Sequence, residues 1–257
     1  MPGEVPFEKG IHTVKRRLIT CVVAFILPLT TVVGAPAQAA PATRGTAHPN
    51  VDVITIIQAA KAAYDAYKSF ASGGGSLNTA VSRILTAIQQ AQEAIISHID
   101  AIATTDARAC AQDAVVDFPN FDRLTPDNQQ AFAVAATKCS NLIDSLMGTV
   151  VDKHAKDQLG YSANAVGPIA LITRSRSGLD NHSFVPVLRD TNQQISTSLV
   201  PACSFIFDPD FQGKVWACAS YDGGFDEELD RTRAQTFAAA ATSWPMANQT
   251  LAQLAGL

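Results

Sequence analysis

The sequence predicts a mainly α protein, an antiparallel helical bundle with one small disulfide-linked β-hairpin. Three observations predict it. Apolar residues recur at helical spacing from Val51 towards Lys156. Four cysteines remain once an N-terminal export segment is set aside, which reads as two disulfides. One stretch, "CSFIFDPDFQGKVWAC", places aromatic and β-branched residues on both sides of a turn-rich hexapeptide.

The export segment comes first in the chain. Lys15, Arg16 and Arg17 precede an apolar run from Leu18 to Val33, and "GAPAQAAPA" follows it. This is the three-part pattern of a cleaved secretory signal, expected over residues 1–39. Ala37-Gln38-Ala39 fits the cleavage rule, as does Ala35-Pro36-Ala37. The alternative is a membrane anchor, but the run is short and contains Pro28. The Arg16-Arg17 pair hints at twin-arginine export without the rest of that motif. Residues 40–50, "APATRGTAHPN", read as a flexible leader, and residues 51–257 as a single helical domain. Cleavage takes away four of the 19 Lys and Arg and two of the 23 Asp and Glu, leaving 15 against 21. The acidic balance has no basic stripe, which argues against nucleic acid as a partner. No later segment is apolar for the length of a membrane span.

The elements follow in order. Val53, Ile57, Ala60, Tyr64, Tyr67 and Phe70 lie on one face of a helix over 51–72, and "ASGGGS" ends it. Ser76 is placed to cap the next helix, 76–104. There Leu77, Val81, Ile84, Ile88, Ala91, Ile95, His98 and Ile102 form the strongest apolar stripe in the chain. Its strength marks this helix as the expected core of the bundle, paired with 51–72 as a hairpin. A short helix over 106–117 is broken by "DFPNFDRL". Thr125-Pro126 then opens a helix expected to run towards Lys156. "YSANAVGPIALITRSRSG" reads as a buried helix, kinked or started at Pro168, and a further helix is expected over about 186–199. In the hairpin that follows, Cys203 and Cys218 are equidistant from the turn centre. An antiparallel register therefore sets Cys203 opposite Cys218, Phe205 opposite Trp216, and Phe207 opposite Lys214. That pairing leaves Cys110 with Cys139, on consecutive helices. "YDGGFDEELDRTRAQTFAAAATSW" is expected to begin the last long helix, Pro245 to break it, and "MANQTLAQL" to form a short terminal helix.

The residues that could carry chemistry are few. His98 sits on the apolar stripe, but positions 94, 95, 101 and 102 are Ala, Ile, Ala and Ile. It therefore lacks a second metal ligand at helical spacing and reads as a histidine hydrogen-bonded at the core. Asp222, Asp226, Glu227, Glu228 and Asp230, with Asp208 and Asp210 nearby, are dense enough to suggest Ca²⁺. The calcium-loop spacing is absent, and acids after "DGG" also suit the first turn of a helix. His48 lies in the leader, His154 in a charged helix end, and His182 beside Asp180 and Asn181. His182 with Asp180 is the most site-like of these, against a turn cluster as the plainer reading. Asn181-His182-Ser183 and Asn248-Gln249-Thr250 match the glycosylation sequon. Arg174 and Arg176 could grip an anion, or simply close a helix end in solvent. No serine elbow, phosphate loop or dinucleotide fingerprint occurs, so neither catalytic residues nor a cofactor are assigned.

These observations lead to an exported, disulfide-stapled helical protein that works by binding an extracellular protein or surface component. Two other classes stay open. One is a membrane-active protein in which the 51–104 hairpin opens. The other is an extracellular hydrolase whose site assembles from distant residues, such as His182 with Asp180 or the acids near Asp222. Because the strongest stripe is better spent in the core, function is expected around the disulfide hairpin and the acidic "DGGFDEELD" after it.

Overall fold

α1 (Val51–Ala71) and α2 (Leu77–Asp100) form the expected hairpin. The structure, a computed structural model, describes residues 51–209 and 212–257; the signal and leader expectations lie outside the described residues. Gly73 turns the chain at a left-handed φ of 78°. Ser76 Oγ accepts the Thr79 N–H at 3.1 Å, the cap that starts α2. α2 stops at Asp100, not 104: the Ala101 N–H turns back to the carbonyls of His98 and Ile99, and Thr104 leads into α3 (Thr105–Asp117).

A 3₁₀ turn, Phe118–Arg123, occupies "FPNFDR" and leads to α4 (Pro126–Thr149). α3 and α4 are stapled by Cys110–Cys139, with Cα atoms 5.5 Å apart. α4 does not continue to Lys156. The β-branched run Thr149-Val150-Val151 weakens the helix, and Val150 is already extended. Asp152 Oδ1 then accepts the Ala155 N–H at 2.8 Å and begins a new helix, α5 (Lys153–Arg176).

α5 is the centre of the bundle, a place the sequence reading gave to α2. Every residue from Asp157 to Thr173 is buried, whereas α2 buries one stripe and leaves the opposite face in solvent. A helix touched from all sides has no polar face and so no amphipathic period. Pro168 lies inside α5 and neither kinks the chain into two helices nor starts one. Gly167 beside it is packed against Tyr64, whose hydroxyl would collide with a Cβ there. The buried polar residues of α5 are satisfied in the interior. Asn164 Nδ2 donates to Asn192 Oδ1 at 2.9 Å, and Asn164 Oδ1 accepts the Thr250 hydroxyl at 2.7 Å.

α6 (Val185–Ser198) follows, close to expectation. β1 (Ala202–Asp208) and β2 (Gly213–Ala219) then pair antiparallel in the register read from the cysteines: Cys203 with Cys218, Phe205 with Trp216, Phe207 with Lys214. The next segment differs from expectation. Phe225–Glu228 is a third strand, β3, on the far side of β2, and only Arg231–Ala238 is helical, as α7. α8 (Trp244–Leu254) takes Pro245 into its first turn, where no amide is needed. Gln253 Nε2 ties α8 to α1 through Asp65 Oδ1 at 2.7 Å. The main apolar core runs through the helices. A second, smaller one joins Cys218 to Ala234 and Ala238 of α7, with Cys203 and Trp216 at its margin.

Candidate functional site

The sheet and α7 make the most distinctive surface. Aromatic and β-branched residues give β1 and β2 their extended form, and the Cys203–Cys218 bond fixes their register. Opposite residues share a face, so Cys203, Phe205 and Phe207 stand beside Cys218, Trp216 and Lys214. The Phe205 and Trp216 rings are 5.0 Å apart between centroids. Cations flank them, with the Arg231 guanidinium 5.1 Å from the Trp216 ring and Lys214 Nζ 5.9 Å from Phe205. Phe225, paired with Ala219, belongs to the reverse side, and Phe237 projects from α7. Phe205 is 54% exposed, Phe207 67%, Phe225 61% and Phe237 52%.

The acidic cluster is dispersed by β3. Asp226 pairs with Cys218 and Glu228 with Trp216, which puts both on the aromatic face, while Glu227 pairs with Ala217 on the other. Asp230 caps α7 by accepting the Arg233 N–H at 2.8 Å. Asp222 closes the β2–β3 turn, accepting from the Ser220 hydroxyl and from the Gly224 N–H at 3.2 Å. The acids therefore do not fill the first turn of a helix, as the sequence reading had them; Asp230 alone serves a helix start. Burial raises the Asp226 carboxyl above its usual range, Glu228 adds to the rise, and Arg233 opposes it. Arg233 itself meets Glu228 at 3.2 Å. Among the described residues no three His, Cys, Asp or Glu side chains converge on one point.

Between the β2–β3 turn and the start of α8 lies a carboxylate that sequence reasoning missed. Asp157, at the start of α5, is 4% exposed. Its Oδ2 accepts the Tyr221 hydroxyl at 2.7 Å and its Oδ1 accepts the Ser243 N–H at 2.6 Å. It thus fastens the β2–β3 turn and the start of α8 to the central helix. Burial raises its carboxyl above the ordinary range against the pull of the Ser243 and Tyr221 donors, and Asp222 adds to the rise. Burial also raises the Tyr221 and Tyr161 hydroxyls, with Asp157 reinforcing both. Tyr161 donates to the Ala241 carbonyl at 2.8 Å, one more tie across the same junction. Ser243 is packed against Gly160, where a Cβ would strike its side chain. A lone Asp in a helix start carries no local signal of such a role; its partners are 64 and 86 residues away.

Among the described residues the histidines are not brought together. His98 is half-buried, with Nδ1 3.2 Å from Gln158 Oε1 and its ring 4.4 Å from that of Tyr161. It is a histidine at the core's rim, as its spacing suggested. His182 is exposed in a turn, where its backbone N–H donates to Asp180 Oδ2 at 3.0 Å. The organiser of that turn is Asn181. Its Nδ2 reaches Tyr67 at 2.8 Å and the Leu171 carbonyl at 3.0 Å, and its Oδ1 accepts from Arg174 Nε at 2.9 Å. Arg174 is not a solvated helix end: it also donates to Thr137 at 3.2 Å and lies 5.3 Å from the Phe184 ring. Arg176 meets Asn78 at 2.9 Å and stays exposed.

Two surface depressions among the described residues gather no convergent set of titratable side chains. One of ≈ 560 Å³ is lined by Thr55, Gln89, Gln92 and Glu93, and one of ≈ 460 Å³ lies between α7 and α8. Neither includes His98, His182, Asp157 or Asp222. Compared with protein families, curated proteins and solved structures, the chain matches none of them.

Proposed function

We propose that this chain is an exported, disulfide-stapled binding protein whose contact surface is the sheet and α7. One observation carries the reading: every exposed phenylalanine among the described residues lies there, while Phe118, Phe121 and Phe184 are buried in the helical core. Burying a phenyl ring stabilises by about 25 cal/mol per Å² of apolar surface, so the rings left out mark a surface that another molecule covers. Aromatic and Arg side chains are the residues that anchor interfaces, and both are present here. The secretory pattern of residues 1–39 and two disulfides support an oxidising, extracellular setting. The partner is an extracellular protein or surface component.

The test compares the disulfide-bonded protein with a Phe205→Ser, Phe207→Ser, Phe237→Ser variant, both immobilised and exposed to the host's secreted and surface fractions. A component held by the first and released by the second, with melting temperatures unchanged, supports the assignment. Equal retention by both would remove the sheet from the reading. Mass measurement of the exported chain should give an N-terminus at Ala40 or Gln38; an intact residue 1 in the medium would contradict cleavage.

A further inference from the structure

The two edges of the sheet are built differently. In the order β1-β2-β3, β1 and β3 are the edge strands. An open edge presents unpaired N–H and C=O groups and invites another strand unless charge, proline or brevity protects it. β3 is four residues long and includes Asp226, Glu227 and Glu228. β1 is seven residues long and carries no charge from Ala202 to Phe207. The register tells which backbone groups of β1 face outward. The Ser220 N–H donates to the Gly224 carbonyl, so Ser220, Cys218 and Trp216 direct their backbone groups towards β3. Ala217 and Val215 then face β1, where their partners are Ser204 and Ile206. Cys203, Phe205 and Phe207 are left to the outer edge. The 4.1 Å between the Cα atoms of Cys203 and Cys218 is the close spacing of a pair that exchanges no hydrogen bonds, which gives the same answer independently. Among the described residues, no backbone hydrogen bond reaches those three from another segment.

We propose that β1 pairs antiparallel with β1 of a second copy of this chain, about a two-fold axis at Phe205. The proposal rests on the sheet being the contact surface and specifies how that surface is organised. A second copy fits because the register closes on itself. Phe205 faces its own counterpart, and Cys203 and Phe207 face each other in both directions, so every outward N–H and C=O of the three is paired. No like charges meet, because Asp208 falls opposite Ala202 of the second copy. The two Phe205 rings stand side by side across the axis, within reach of an aromatic pair. Edge pairing leaves the ring faces open, so the dimer presents one aromatic strip through both sheets. Pairing through one seven-residue edge strand falls short of the roughly 1,200 Å² at which specific, stable interfaces begin, so the dimer is reversible.

Sedimentation of the disulfide-bonded protein over a micromolar to sub-millimolar series tests this. The expected result is a monomer–dimer equilibrium that shifts at least tenfold towards monomer in Phe205→Pro. That substitution removes an outward amide and spares the β1–β2 ladder. Phe207→Ser should keep the dimer while losing the external component of the binding test, which separates this proposal from that reading. Should Phe205→Pro fold poorly, amide exchange in the unaltered protein decides. Protection of the Phe205 and Phe207 amides that grows with concentration supports the pairing. A monomer at every concentration, a dimer indifferent to Phe205→Pro, or edge protection that appears only with an added partner would overturn it.

Discussion

Asp157 shows what one residue does at the junction of sheet and bundle. Its carboxylate holds Tyr221 and the Ser243 amide, and burial lifts its proton affinity above that of the unfolded chain. With the folded pKa above the unfolded one, the group's stabilising contribution is full below the ordinary carboxylate value and is lost as pH rises through the folded value. Asp157→Asn keeps an acceptor for Ser243 and removes the charge. Urea unfolding should therefore show the variant gaining on the parent between about pH 4 and pH 7. An unchanged difference across that range would mean that Asp157 titrates normally. Asp157→Ala strands two buried donors and should cost about 2–4 kcal/mol at either pH.

Among the elements, the two disulfides guard different parts. Cys110–Cys139 closes a separation of 29 residues between core helices, and Cys203–Cys218 closes 15 within one hairpin. Loop-closure entropy puts each at about 3–4 kcal/mol. The consequences should separate, because the hairpin belongs to the smaller apolar cluster. Cys110→Ser with Cys139→Ser should lower the helical melting transition. Cys203→Ser with Cys218→Ser should speed amide exchange in β1 and β2 and leave the helical signal nearly intact. Equal loss of helical stability in both variants would show one cooperative unit in place of a helical body with a locally stapled sheet. The elements also show what spacing can reveal. The hairpin register was legible because two cysteines lie symmetrically about a turn, a local pattern. β3 was not, because "FDEE" has the composition of a helix start and becomes a strand by pairing with β2.

For the whole molecule, the question is which apolar surface is available. No helix among the described residues is long and apolar enough to cross a membrane. The stripe of α2 is buried in the main core, so opening the α1–α2 hairpin would expose Ile84, Ile88 and Ile99 together with the surface of α5 they cover. The protein at micromolar concentration should therefore release no dye from liposomes; release would reinstate the membrane-active reading. Of the residues the hydrolase reading names, His182 stands exposed in one turn and Asp222 closes another.

The sequence by itself determined the mainly helical class, most helix starts, the disulfide pairing and the face shared by Phe205 and Trp216. Each depends on periodicity, capping or symmetric spacing, which act within a few turns of chain. Tertiary structure alone decided that α5 is the centre, that the acids after "DGG" form an edge strand, and that Asp157 binds Tyr221 and Ser243. Those outcomes come from contacts between segments far apart in the chain. A helix buried on every side also loses the one-sided pattern by which its sequence would announce it.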